Sequence, residues 1–216
     1  MINAPLKERV YAAVLDGILS GEYTPDTLLS EKQLTEKLHV SKSPVREALV
    51  ELCAQGVLKS APRQGYRVVR FTEHNVRDIL EFRTMLELGC LRACFDKITP
   101  VQIRRLQSIV ECEFLHLTRQ DLRDYWTNTL NFHLTLASYA ENEYIYKHLS
   151  TLLNTSMRAY LQLYWRKWED GTLAKPSVLH AQIVESIANR DREEALRLLE
   201  RDINTFTIEP VGGNAK

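Results

Sequence analysis

Residues 30–49 read Ser30-Glu31-Lys32-Gln33-Leu34-Thr35-Glu36-Lys37-Leu38-His39-Val40-Ser41-Lys42-Ser43-Pro44-Val45-Arg46-Glu47-Ala48-Leu49. Ser30 with Gln33 three positions on has the form of a capping box, so a short helix opens here with Leu34 and Leu38 on one face. His39-Val40 is a tight connection. Ser41-Lys42-Ser43-Pro44 then opens a second helix, because serines that can cap stand beside a proline that the first turn tolerates. Val45, Leu49 and Leu52 form its buried stripe, and Gly56 stops it. Upstream, Leu6, Val10, Ala13, Val14 and Ile18 fall at helical spacing, and Gly21 to Pro25 ends that helix. Downstream, Val57–Ser60 and Tyr66–Val69 read as two strands joined by Ala61-Pro62-Arg63-Gln64-Gly65. Helix, helix, turn, helix, hairpin is the order of a winged helix-turn-helix, with the hairpin tip as the wing.

Beyond Thr72 the pattern changes to long amphipathic helices with few strand signals. They are placed at Glu73–Phe95, Pro100–Thr118, Leu122–Ala140, Glu143–Glu169, Pro176–Asn189 and Glu193–Thr207. Thr99-Pro100 and Asp191 serve as starts and Gly171 as a breaker. Short connections make helices antiparallel neighbours. The expected fold is therefore mainly α: a winged helix-turn-helix over residues 1–71, an all-α antiparallel bundle over 72–208, and a loose tail over 209–216.

The 216 residues carry 28 Lys+Arg against 28 Asp+Glu, a formal net charge of zero, with 44% hydrophobic residues. That composition excludes wholesale disorder, and 8 Gly with 7 Pro exclude collagen-like or linker-rich classes. No run of about 18 uncharged apolar residues is present, so no membrane partner is expected. Met1–Ser20 lacks the apolar core of a signal sequence, since Lys7, Glu8, Arg9 and Asp16 interrupt it. Cys53, Cys90, Cys94 and Cys112 show no metal or disulfide spacing and read as buried thiols of a cytoplasmic protein.

Zero net charge argues against DNA only as an average. Residues 1–72 hold ten Lys/Arg and eight Asp/Glu, which leaves 18 basic and 20 acidic residues for the remainder. Within residues 40–70, Lys42, Arg46, Lys59, Arg63, Arg67 and Arg70 face only Glu47 and Glu51. A helix N-terminus adds free N–H groups and the positive end of its dipole. Ser41, Lys42, Ser43 and Arg46 placed there make an end suited to phosphates and base edges, Arg46 being long enough for a bidentate guanine contact.

Three polar groups lie on faces that periodicity marks as apolar. His133 sits among Leu130, Leu134, Leu136 and Ala137; His180 among Ile183, Val184 and Ile187; Asp202 among Ala195, Leu198, Leu199 and Phe206. Two imidazoles with a carboxylate are a transition-metal set of the Zn, Ni or Mn type, with open positions for a carboxylate ligand. Arg83, spaced with Ile79, Leu86 and Cys90, reads either as an anchor for an anionic effector or as an i,i+4 partner of Glu87. Arg158, Tyr160, Tyr164 and Trp165 suit either a pocket lining or the core and surface. Arg83, Thr129, Arg158 and Tyr160 are the candidate effector contacts.

Val40-Ser41-Lys42-Ser43-Pro44-Val45-Arg46-Glu47-Ala48-Leu49, followed by Gly56-Val57-Leu58 and Gln64-Gly65, closely resembles the GntR family of bacterial transcription regulators. The helical remainder resembles the FadR-type C-terminal domain (FCD) of that family, through Arg83-x-x-x-Glu87, Phe132-His133, Asn142, His180-x-x-Ile183 and Asp191-x-x-x-Ala195. The resemblance spans residues 5–207. It implies a homodimer on a palindromic double-stranded DNA operator, with a small carboxylate effector inside the helical domain. The family's DNA contacts fall on Lys32, Ser41, Lys42, Ser43, Arg46, Gln64 and Gly65. Lys32 stands where arginine is common, which keeps a phosphate contact and loses the planar fork. The subgroup's metal pattern is an Asp, a His four residues later, a second His, and a third His 22 residues beyond. Here those positions are Thr129, His133, His180 and Asp202, so two of four depart. Either metal binds through His133, His180 and Asp202, or Asp202 hydrogen-bonds both histidines in a metal-free pocket.

The leading expectation is thus a ligand-responsive DNA-binding regulator and not an enzyme. The alternative is a metal enzyme acting on a small carboxylate through His133, His180 and Asp202. That reading finds no positioned base, nucleophile or cofactor loop and leaves the basic module unexplained. A third reading, a protein-interaction adaptor, makes the recognition helix and wing dispensable.

Overall fold

The computed structural model describes residues 5–118, 122–169 and 178–205. The expected Pro176 start, the Gly171 breaker, the bundle's end at Thr207 and the tail over 209–216 lie outside those residues, as do the side chains of Tyr164 and Trp165. The chain divides into two compact units. One is the segment up to Phe71 with Leu161–Leu163, and the other is built from Thr72 onward.

In the first unit, α1 (Leu6–Leu19), α2 (Glu31–Leu38) and α3 (Lys42–Ala54) surround a core of Val10, Val14, Leu34, Val45, Ala48, Leu49 and Leu52. Leu6, at helical spacing with Val10 and Val14, is exposed at the opening of α1. The Ser30 capping box forms as expected: Ser30 Oγ accepts from the Gln33 N–H, and Gln33 Oε1 accepts from the Ser30 N–H. The turn between α2 and α3 closes on His39 with φ 53°, a left-handed C-cap.

The hairpin strands are β2 (Leu58–Ala61) and β3 (Gly65–Val68), each within a residue of expectation. A third strand, β1 (Leu28–Leu29), was not expected. It pairs antiparallel with β3, Leu29 opposite Tyr66, and gives the order β1-β3-β2. Two residues carry no periodicity of their own, and only the pairing makes them a strand. Gly65 marks the junction. Its φ is 125°, and a Cβ there would stand 2.3 Å from the Leu29 carbonyl oxygen. Only glycine fits both constraints.

Among its described residues the second unit has only helices as regular elements: α4 (Glu73–Cys94), α5 (Pro100–Thr118), α6 (Leu122–Ser138), α7 (Glu143–Glu169, apart from Leu161–Leu163), α8 (Val178–Ala188) and α9 (Arg192–Asn204). A 3-10 turn at Phe95–Lys97 follows α4. Side chains set the boundaries: Thr72 pairs with Asn75 and Thr99 with Gln102 in capping boxes, and Asp191 accepts from the Glu194 N–H. Cys90, Leu149 and Leu153 sit in the apolar interior. All four cysteines are free, but Cys112 is exposed and Cys53 only half-buried, against the expectation of four buried thiols. Cys112 falls on the solvent face of α5, where its neighbour Glu113 takes the inward position.

Candidate nucleic-acid and metal sites

The first site is a surface. Ser41 is the N-cap of α3 but makes no side-chain capping bond, and the first turn contains no acidic residue. The N–H groups of that turn thus remain available for an outside acceptor. Lys42, Ser43 and Arg46 are exposed, Arg46 with 74% of its side chain in solvent. Glu31, at the start of α2, ties three elements together: it lies 3.9 Å from Arg46 Nε and accepts from the Tyr66 hydroxyl on β3 at 3.5 Å. Arg46 is thereby held beside α2 and the wing strand β3. Ser43 Oγ donates to Glu47 at 2.8 Å.

On the wing, Lys59 and Arg67 are directly opposite each other across β2 and β3. Like charges at that register are destabilising unless an anion covers them. Arg67 also donates to Gln64 Oε1 at 3.2 Å. Both bases were visible in the sequence as part of a basic face. Their pairing depends on the register, which the sequence left open.

The second site is buried. Glu87 on α4, Glu113 on α5, Thr129 and His133 on α6, His180 on α8 and Asp202 on α9 converge, all nearly without solvent exposure. The i,i+4 spacing places Thr129 and His133 on one face of α6. His133 Nε2 and His180 Nε2 each stand 3.3 Å from Asp202 Oδ2. These three residues offer ligand atoms within 4.8 Å of one another.

Two arms support them. Arg83 Nε donates to Glu87 Oε1 at 2.8 Å, and Glu87 Oε2 meets His133 Nδ1 at 2.6 Å. The Thr129 hydroxyl donates to Glu113 Oε1, and Glu113 Oε2 meets His180 Nδ1 at 2.8 Å. An ionised carboxylate only accepts, so each Nδ1 must carry the hydrogen. Phe132 stacks on the His180 ring, centroids 4.0 Å apart, and the two imidazoles lie edge to face at 5.1 Å.

Burial by itself would lower the His133 pKa, yet the charge of Glu87 and the contacts with Asp202 and Glu87 raise it above the usual 6.5. For His180, burial is likewise outweighed, by Asp202 and then Glu113, and the ring is pushed up to about 10. Burial works to raise Asp202, but the charges of His180 and His133 hold it well below the carboxylate range. Glu87 is lowered by His133 and Arg83 in the same way.

The donors fit a divalent metal. His133 Nε2 and His180 Nε2 are buried without a hydrogen-bond partner: each is within ion-pair reach of Asp202, but neither has hydrogen-bond geometry. Counted as carboxylates, Glu87, Glu113 and Asp202 exceed the Arg83 guanidinium by two negative charges, which a dication or two protons would balance. Burying such charges uncompensated is costly.

The structure brings together the three metal candidates and, through Glu87, Arg83. Arg83 pairs with Glu87 as one reading held, but the pair is buried, and Arg83 Nη2 is left with no hydrogen-bond partner. Thr129 joins the cluster through Glu113. Arg158 and Tyr160 are buried on α7, with Arg158 donating to Thr155 at 3.1 Å. Glu113 was missed. It shares α5 with Arg104, Arg105 and Glu111, and only its inward position beside the outward Cys112 sets it apart.

A family model of the bacterial regulatory proteins of the gntR family matches residues 6–68, and the FCD domain model matches residues 78–205. The HTH-type transcriptional repressor RspR of Escherichia coli K12 is 24% identical over 206 residues, covering 94% of this chain and 88% of the repressor. The gluconate operon transcriptional repressor of Bacillus subtilis is 26% identical over 198 residues, covering 87% and 77%. Among solved structures, E. coli McbR/YncC superposes with a TM-score of 0.74 at 20% identity, covering 94% and 95%. A GntR transcriptional regulator from Rhodococcus sp. RHA1 gives 0.73 at 20% identity, covering 92% and 94%.

Proposed function

Because the chain belongs to the bacterial gntR-family transcription regulators and carries an FCD domain, we propose that it binds a palindromic operator as a homodimer. A small carboxylate metabolite, held in the helical unit beside a divalent transition metal, controls that binding. As a transcription regulator it is not an enzyme, and the alternative of a metal enzyme acting on a small carboxylate gives way to the family assignment. The adaptor reading gives way with it.

Lys32, Ser41, Lys42, Ser43, Arg46, Gln64 and Gly65 are the proposed DNA contacts, with Lys59 and Arg67 adding charge from the wing. The uncapped, acid-free start of α3 supports phosphate binding there. Exposed Phe82 and Met85, one turn apart on α4, suit a face covered by a second copy. Among the described residues no helix is long and apolar enough to cross a membrane, and a cytoplasmic location goes with the regulator role.

The observation that carries the effector reading is the convergence of His133 Nε2, His180 Nε2 and Asp202 in a buried site with two unsatisfied nitrogens. Those three residues would hold the metal, which when bound supplies a Lewis-acid centre for an anionic ligand. Three protein donors leave positions open on a Zn, Ni or Mn ion. The unpartnered Arg83 Nη2 offers a donor to the same class of ligand, with Thr129, Arg158 and Tyr160 as further proposed contacts. Effector binding then shifts the population of arrangements of the DNA-binding modules.

Anisotropy titrations of operator DNA, with and without small carboxylates, test this directly. Salt-sensitive binding whose affinity moves with one carboxylate is expected. No binding to any DNA, or an affinity indifferent to every carboxylate and to metal removal, would overturn it. Elemental analysis of untagged protein should find about one metal per chain, lost in His180→Ala.

A further inference from the structure

The two arms of the buried cluster are built alike. Each carboxylate spends one oxygen on an imidazole Nδ1 and the other on an anchoring donor: Arg83 for Glu87, Thr129 for Glu113. Each arm starts on a different helix from the imidazole it holds, α4 reaching to α6 and α5 to α8. The outcome is the same on both sides. Nδ1–H is tied, and Nε2 is turned toward Asp202.

We infer that Glu87 and Glu113 are the positioning residues of the metal centre, and that Thr129 acts through Glu113 as an anchor and is no metal ligand. The inference rests on reading His133, His180 and Asp202 as the metal-binding set. A hydroxyl that donates its hydrogen to a carboxylate is already oriented by that bond, and Thr129 lies at the far end of the arm from His180 Nε2. An imidazole whose Nδ1–H is held by a carboxylate has its ring orientation and tautomer set, and its Nε2 is a more basic donor. The Phe132 ring stacked on His180 removes the remaining freedom of that imidazole to tip. Asp202 alone of the acidic groups therefore faces the metal, and the site has three protein ligands from α6, α8 and α9.

The full-length protein, stripped with chelator, is titrated with Zn2+ against a competing dye, and its histidine side chains are followed by 15N NMR. Wild type should bind one Zn2+ with both rings as Nδ1–H tautomers and their Nδ1–H protons shifted downfield. Glu113→Gln and Glu87→Gln should each weaken Zn2+ binding about ten- to a hundredfold. Each should move the downfield proton of its own histidine only, and Glu113→Asp should recover part of the loss. Thr129→Val, which keeps every carboxylate, should weaken binding about three- to tenfold, the order of one lost hydrogen bond, with stoichiometry unchanged. His180→Ala should abolish tight binding.

If wild type takes up no Zn2+, the metal reading falls and this inference with it. If wild type binds but the Gln variants bind within about twofold of it with unmoved Nδ1–H resonances, the inference alone falls. If Thr129→Val loses Zn2+ as completely as His180→Ala, threonine is a ligand and the assignment of the arm is overturned. Circular dichroism and melting of the metal-free variants separate misfolding from these outcomes, and Thr129→Val, the mildest change, keeps the arm testable should a Gln variant not fold.

Discussion

The N-terminal unit displays its working polar groups on the outside, and the helical unit hides them within. Arg46 keeps 74% of its side chain in solvent, whereas His180 is fully buried. Exposed charges interact weakly with one another and cost little to display, so they are free to meet a large anionic partner. Buried charges must be satisfied by neighbours on several helices. Under the proposed function, one unit touches a macromolecule and the other registers a change in a few atoms.

The contrast is sharpest at Asp202, where the largest effect is expected. Asp202→Ala should abolish tight metal binding and destabilise the helical unit by about 3–5 kcal/mol, since both histidines keep their glutamates and lose the carboxylate that pairs with them both. Calorimetry with and without Zn2+ measures this; a melting temperature equal to that of wild type in chelator would place Asp202 outside any network. Arg46→Ala should do the reverse. Operator affinity is expected to fall about ten- to a hundredfold with melting unchanged, and an unaltered affinity would remove α3 from the DNA interface.

Acidity separates the units further. The raised pKa of His180, about 10 against a usual 6.5, means that its protonated form stabilises the metal-free fold. That contribution is fully present below pH 6.5 and is lost as pH rises toward 10, with His133 acting in the same direction. In chelator, the helical unit should therefore melt at falling temperature from pH 6.5 to 9. With Zn2+ the gap between loaded and stripped protein should widen over the same range, because the metal displaces those protons. A stripped protein whose melting temperature rises across that window would contradict that charge arrangement. The smallest effect is expected for Lys32→Ala, which should lower the salt slope of DNA binding by about one without changing sequence preference.

The same contrast decides what was legible in the sequence. The first unit's signals are local: the Ser30–Gln33 box, the Ser41-Lys42-Ser43-Pro44 start and the Gly56 stop each lie within a few residues, and each bounds a helix where read, although Ser41 makes no capping bond. Its omission, β1, has no local signal, because Leu28 and Leu29 become a strand only through β3. In the second unit, helix period exposed His133, His180 and Asp202 as polar residues on apolar faces. It could not show that Glu113 turns inward beside an outward Cys112, nor that Thr129 would point at Glu113. Those facts depend on rotations of five helices about their axes, and no single stretch encodes them. Arg83 was read both as an effector anchor and as a partner of Glu87; the structure makes it the partner and still leaves one of its nitrogens without an acceptor.

Gly65 has a consequence for anyone who would retune the wing toward a different operator. Because a side chain there would strike the Leu29 carbonyl, position 65, where the turn enters β3, is closed to mutation. Useful diversity in a selection library is confined to the exposed tip, Pro62, Arg63 and Gln64. A randomised library that includes position 65 should return glycine there in its folded survivors, whatever DNA is used as bait.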